Sequence, residues 1–298
     1  MIPVAAAVDL HAHTGASDGS DDPPVLVRVA AAAGVGVVAV TDHDTVEALP
    51  GAIAAGVALG VEVLPGCEMT GAADGRVVHL LLYGDGLLDQ GAAVLVGVAR
   101  RGREERNRLI GERLGVLTGV GYLEASAVAA GASVSRAHFA GALVQRGVVA
   151  DVAEAFDRYL SAGRPAYVPA PSVPIADVVA LARQVGAVVI LAHPGRLGAG
   201  DRERVVAAAV DAGVDGIEVW HPQHDPVVQR HWATRTAQLG LLATGGSDYH
   251  GRHKPGVRLG SGLAGNVAVP AAALAALRER LRASTSAASA GRAAQPRG

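Results

Sequence analysis

Short runs rich in Val, Leu and Ala recur along the chain between longer Ala-rich segments whose polar residues fall at helical spacing. Such runs suit strands of a sheet covered on both faces, and the polar spacing suits helices packed over it. The pattern predicts strands at Val4–Leu10, Val35–Thr41, Val61–Pro65, Val77–Tyr83, Ala187–Ala192, Gly216–Val219 and Leu241–Thr244. It predicts helices over Pro23–Ala33, Val46–Leu59, Pro174–Val185, Asp201–Ala212 and Pro226–Leu239. Several open with proline or an acidic first turn and close at Gly34, Gly60, Gly186, Gly213 or Gly240, which is the punctuation of βα units. Strands in this rhythm predict an α/β barrel.

Over residues 87–169 the strand runs stop and the chain turns Arg-rich and helical, through RRGREERNRLIGERL, SRAHFAGALVQRG and DVAEAFDRYLSAG. This predicts a small helical insertion domain between two parts of the barrel, residues 1–86 and 170–283. Residues 284–298 are small and polar without periodicity, and are expected to form a disordered tail. No period of the kind that builds a solenoid or propeller appears.

Composition narrows the function. With 26 basic and 28 acidic residues the net charge is −2, and the chain has only two Trp, five Tyr and two Phe. Neither a positive field nor a stacking platform is available, so no stable nucleic-acid partner is expected. The one cysteine, Cys67, excludes a disulfide framework and a C-x-x-C metal knuckle, and suits a cytoplasmic location. No export signal and no membrane span are read, since no stretch supplies about 18 apolar residues without charge or glycine.

The chemistry lies immediately after the apolar runs, in DLHAHTGASDGSDD, AVTDHDT, LPGCEMT, VVHLLLYG, ILAHPG, EVWHPQHD and TGGSDYHG. Strand C-termini of a parallel barrel share one face, so these segments are expected to converge. His11 and His13 are two apart on an extended segment and point the same way. They join Asp18, His43, Glu68, His79, His193, Asp248 and His250. So many carboxylates and imidazoles packed without cations would carry a large desolvation cost, whereas divalent ions take both as ligands. The group is large enough for two or three ions with a shared carboxylate.

In order along the chain, DLHAHTGASDG, TDHDT, GCEM, VHLLLYG, AHPG and GGSDYHG resemble the motifs of the PHP (polymerase and histidinol phosphatase) phosphoesterases, from about residue 8 to residue 260. SRAHFA and GRPAYVP also resemble the bacterial subgroup that hydrolyses 5′-nucleotides and 3′,5′-bisphosphate nucleotides. The resemblance implies a distorted (β/α)7, TIM-like barrel with a trinuclear metal site. It implies that His11, His13, Glu68 and Asp248 hold one metal, that Glu68 bridges to a second completed by His79 and His193, and that Asp18, His43 and His250 hold the third. Mn2+ is favoured, with Zn2+ or Fe2+ as further occupants. The reaction implied is phosphomonoester hydrolysis by hydroxide activated on the metals that Glu68, His79, His193 and Asp248 hold.

Phosphate calls for cationic donors, and the chain has a single lysine, Lys254, so arginines are expected to supply them. Arg136 in SRAHFA and Arg164 in GRPAYVP are the candidates, while Arg100, Arg101, Arg103, Arg106, Arg108 and Arg113 read as a solvated face. His138 either contacts substrate or caps its helix. His221 is a candidate for supporting the ligands from behind, whereas His224, His231 and His253 read as structural. Of Asp42 and Asp44, one is expected to orient an imidazole and the other to cap the following helix.

Small phosphorylated substrates, nucleotides above all, are therefore the expected partners. The alternatives are histidinol phosphate or 5′–3′ hydrolysis of short RNA at the same site, then an amidohydrolase-type barrel, then a non-catalytic metal-binding module.

Overall fold

The computed structural model describes residues 7–89, 91–131, 134–169 and 173–294. The beginning of the first predicted strand, residues 4–6, and the last four residues of the predicted tail lie outside the described residues. The chain divides into two units, residues 1–97 with 172–298, and residues 98–171.

The first unit is built on a seven-stranded sheet whose strands lie in sequence order. They are β1 (Ala7–Ala12), β2 (Val35–Val40), β3 (Glu62–Ala73), β4 (Arg76–Tyr83), β5 (Val188–Leu191), β6 (Gly216–Trp220) and β7 (Leu242–Gly245). Helices α1 (Pro23–Ala32), α2 (Leu49–Leu59), α7 (Ile175–Gln184), α8 (Ala199–Ala212), α9 (Pro226–Leu239) and α10 (Ala271–Ala294) accompany it. Helices α2, α8 and α9 stop at Gly60, Gly213 and Gly240, each in the left-handed conformation that ends a helix. Helix α9 starts as its sequence suggests, with Pro226 in the first turn and the Asp225 carboxylate accepting the Val227 and Val228 N–H groups.

The sheet is not parallel throughout. Strand β4 runs antiparallel to both β3 and β5, while the other neighbours pair in parallel. Asp74 and Gly75, both at positive φ (48° and 69°), join β3 to β4 in a tight turn. A two-residue connection leaves no room for a crossover helix, so the two strands must be antiparallel. Strand β3 accordingly runs to Ala73, well beyond the Pro65 at which its apolar run ends.

Along β1, Val8 and Leu10 enter an apolar core with Leu64, Leu81, Tyr83 and Ile190, onto which α10 packs Leu277. Each such leucine contributes about 1.5–3 kcal/mol by burial. The Tyr83 hydroxyl donates to the Leu10 carbonyl at 2.7 Å. Helix α10 extends to Ala294, through most of the stretch expected to be disordered. That stretch is rich in alanine, the strongest helix former, so a helix already seated by Leu274 and Leu277 propagates through it, with Ser284 and Ala288 lying against Gly186 and Ala187.

The second unit is helical: most of α3 (Gly91–Thr118), with α4 (Tyr122–Ala129), α5 (Arg136–Gln145) and α6 (Val152–Ala155). Ile110, Leu114, Phe139, Leu143 and Leu160 form its own core. No helix of the described residues is long and apolar enough to cross a membrane.

Candidate metal centre

Backbone pairing gathers the predicted donors. Opposite each other across the hairpin, Thr70 faces His79 and Glu68 faces Leu81. Directly paired side chains share a face, as do alternate ones along a strand, so Glu68 and His79 are diagonal neighbours. On the other side of β3, the Glu68 N–H donates to the Asp42 carbonyl (3.1 Å) and the Asp44 N–H to the Glu68 carbonyl (2.9 Å), which brings His43 alongside. The Ala192 N–H donates to the His79 carbonyl and delivers His193. Behind β7, the Asp248 N–H donates to the His11 carbonyl and the His13 N–H to the Tyr249 carbonyl. Gly246 permits that approach: a Cβ there would stand 2.2 Å from the His11 nitrogen.

The side chains meet around Glu68. Its Oε2 lies 3.3 Å from His11 Nε2, 3.1 Å from His13 Nε2 and 3.3 Å from His43 Nδ1. Its Oε1 lies 2.8 Å from His79 Nδ1 and 3.0 Å from His193 Nε2. Asp248 Oδ1 stands 3.6 Å from His11 Nε2, 3.5 Å from His13 Nε2 and 3.5 Å from His250 Nδ1. Asp18 reaches His250 Nε2 at 3.2 Å, His13 Nδ1 at 3.7 Å and His43 Nε2 at 3.8 Å. All nine predicted donors are thus in one cluster. Within it, three sets of donor atoms lie within 4.8 Å of one another: His13, Asp18, His43 and His250; His11, His13 and Glu68; and His43, Glu68 and His79.

This arrangement suits divalent cations. Donors about 2.1 Å from a shared ion stand roughly 3.0–3.5 Å apart, close to the 3.1–3.6 Å separations among His11, His13, Glu68 and Asp248. The buried ring nitrogens His13 Nδ1 and His43 Nδ1 make no hydrogen bond with any described residue. The donors are imidazoles and carboxylates without a thiolate, since the buried Cys67 turns its sulfur to the Asp42 carbonyl. His193 and Asp248 adopt positive φ (28° and 50°), a strained backbone often found where a side chain is held for function.

Electrostatics point the same way. Burial alone would raise the Glu68 carboxyl, but the His43, His79 and His11 rings outweigh it and hold it well below the carboxylate range. Burial pushes His193 down to about 3 and also lowers His43, so both rings stay neutral with lone pairs available.

Further residues, some of them not signalled by the sequence, hold the donors in place. Glu218, fully buried on β6, sits against His11. The His221 Nδ1 accepts the Gln223 N–H, so its Nε2–H faces Asp248 Oδ2 at 3.2 Å. Lys254, the single lysine of the chain, places its ammonium on that same oxygen. The Asp42 carboxylate accepts from Thr14 and Ser17 beside His13. Asp44 does not cap α2: its carboxylate takes the Thr70 N–H and hydroxyl, because the chain runs beside β3 before the helix begins.

In the helical unit, His138 accepts the Ser135 N–H at Nδ1 and so caps α5, and Arg164 pairs with Asp157 at 2.6 Å. His224 is buried between the Val219 carbonyl and the Gly195 N–H, His231 pairs with Glu203, and His253 contacts the Asp18 carbonyl.

A mixed α/β sheet that brings a buried cluster of imidazoles and carboxylates to its strand ends defines a metal-dependent hydrolase. The chain belongs to the PHP domain family, whose model matches residues 9–162. It is a metal-dependent phosphoesterase. Over 253 residues it is 36% identical to the 5′-3′ exoribonuclease Rnm of Salmonella typhimurium, covering 83% of this chain and 86% of the relative. Over 258 residues it is 33% identical to the 3′,5′-nucleoside bisphosphate phosphatase of Chromobacterium violaceum, covering 82% and 87%. A solved structure from Bifidobacterium adolescentis, described as a metal-dependent phosphoesterase, matches with a TM-score of 0.81 at 31% identity, over 93% of this chain and 97% of that one.

Proposed function

We propose that the chain removes phosphate from small nucleotides, a 5′-mononucleotide such as AMP or a 3′,5′-bisphosphate nucleotide, at a trinuclear site filled by Mn2+, with Zn2+ or Fe2+ as substitutes. The observation that carries the reading is Glu68, a buried carboxylate with His11, His13 and His43 at one oxygen and His79 and His193 at the other. A carboxylate placed in this way suits two ions at once. His11, His13, Glu68 and Asp248 would hold the first metal, Glu68, His79 and His193 the second, and Asp18, His43 and His250 the third.

When bound, such ions supply a water of lowered pKa and positive charge for the phosphoryl transition state. The protein's part is to keep the donors in register. His221 and Lys254 occupy Asp248 Oδ2 and leave Oδ1 towards His11 and His13. Arg136 and Arg164 bind phosphate oxygens and His138 contacts the substrate through the Nε2 that its cap leaves over. We read the sheet as a distorted (β/α)7 barrel, supported by the backbone bonds from residues 248–249 to β1. The buried, unpaired Cys67 suits a reducing cytoplasm.

The 36% identical exoribonuclease favours a second reading, release of 5′ nucleotides from short RNA at the same centre. Phosphate release by Mn2+-loaded protein from AMP, adenosine 3′,5′-bisphosphate, 5′-phosphorylated RNA and histidinol phosphate, with chelated protein as control, decides between them. Chelator-sensitive release fastest from a nucleotide is expected. Mononucleotide release from RNA with both nucleotides inert would replace the first reading by the second.

A further inference from the structure

The nine clustered donors are three carboxylates and six imidazoles, and among the described residues Lys254 is the one lysine or arginine that pairs with any of them. Its ammonium rests on Asp248 Oδ2, where the His221 ring already donates, and it meets no other acceptor among the described residues. An ammonium carries three N–H donors, so two are left over. The side chain also stands where a ligand can reach it: its relative exposure is 36%, against 7% for Asp248 and 0% for His221. Asp18 and His79 are the other half-open members of the cluster, while His11, His13 and Glu68 are closed to solvent.

A braced loop delivers this ammonium. After His250 the chain makes a short turn over Gly251–His253, in which the Lys254 N–H donates to the Gly251 carbonyl at 3.3 Å. The Arg252 N–H donates to Ser20 Oγ at 2.8 Å, and the His253 ring donates to the Asp18 carbonyl at 2.8 Å. Gly251, at φ 62°, fits closely against Ser20, whose oxygen would stand 2.1 Å from a Cβ there. The contact with Asp248 then holds the long side chain in one arrangement before any ligand arrives, which lowers the ordering cost of binding.

With a cation at Asp248 Oδ1 the carboxylate is balanced from that side, and the ammonium becomes a positive charge in excess at the open face of the centre. A compact ammonium with rotatable donors suits a phosphate oxygen. We propose that Lys254 is a substrate-binding residue, which keeps one N–H on Asp248 and gives the others to the phosphate group that the centre hydrolyses. This role rests on phosphoester hydrolysis at the centre and not on the choice between a nucleotide and RNA.

Because the chain has a single lysine, lysine isotopically labelled at Cε and Nζ gives one side-chain NMR signal. Full-length protein loaded with Zn2+ keeps the sample diamagnetic, and inorganic phosphate, the product, reports binding without turnover. The Lys254 signal is expected to shift saturably with phosphate and to stay in place with chloride at the same ionic strength. A signal unmoved throughout the phosphate titration would overturn the assignment. K254M is expected to raise both the KM of the best nucleotide or RNA substrate and the Kd of phosphate about tenfold or more, with K254R intermediate. His221 still donates to Asp248 Oδ2 in that variant, so its metal content is expected at the wild-type level. Metal lost in step with activity, with KM unchanged, would reduce Lys254 to a support for Asp248 and sink the proposal. A phosphate-dependent Lys254 signal in a protein that hydrolyses no nucleotide would leave this site standing and remove the proposed function.

Discussion

His11 donates from Nδ1 to Glu218 Oε1 at 2.8 Å, and the other oxygen of Glu218 accepts the backbone N–H of His193, also at 2.8 Å. One buried carboxylate therefore sets the tautomer of one imidazole and the backbone of another. Burial opposes the charge, but the His11 ring outweighs it and holds Glu218 down to about 2.

Replacing this charge while keeping its shape isolates its contribution. Glu218→Gln is expected to weaken metal binding about 10–100-fold, the usual cost of losing a carboxylate behind a ligating histidine. Competition with a chromogenic chelator measures it, and wild-type affinity in the variant would remove the role assigned to Glu218.

Loss of a donor should act more severely. His43→Ala and Asp248→Ala are expected to lower the number of bound metals and to abolish nearly all phosphate release. Metal analysis by mass spectrometry beside turnover checks both, and unchanged turnover in His43→Ala would defeat the three-metal assignment.

Gly195 lies in the turn directly after His193, and its N–H donates to His224 Nε2 at 3.0 Å. A Cβ there would stand 2.4 Å from His224 Cδ2 and 2.6 Å from Nε2, so either the ring or the turn must move. Gly195→Ala is expected to cost about 1–3 kcal/mol and to lower the melting temperature by several degrees. Metal affinity should fall with it, and a melting curve superposing on wild type would show that the packing is looser than it looks.

Ions that bind only the folded chain stabilise it, by about 2.7 kcal/mol at a concentration one hundred times the dissociation constant. Chelation is expected to lower the melting temperature and Mn2+ to restore it. A midpoint indifferent to both would mean that the cluster is held together without metal.

Much of this was legible because the cues were local. Proline and glycine marked the ends of α9, and alternation along DLHAH put His11 and His13 on one side of an extended segment. The β3–β4 hairpin was less visible. The apolar run stops at Pro65, and polar Glu68 and Thr70 then occupy the middle of the strand, although Asp74-Gly75 is a turn signal. Glu218 left one clue, a lone carboxylate inside the apolar run of β6, while its partners are supplied by β1 and the end of β5. Lys254 left no periodic trace, because its contact with Asp248 depends on the path of an irregular loop.

The hairpin sets a distance as well as a direction. Glu68 and His79 are eleven residues apart, on arms joined by a two-residue turn. One residue inserted into either arm would turn every later side chain to the opposite surface and carry the imidazole away from its carboxylate. The interval behaves as a ruler: residue types at its outward positions are free to drift, but the count between the two marks is not.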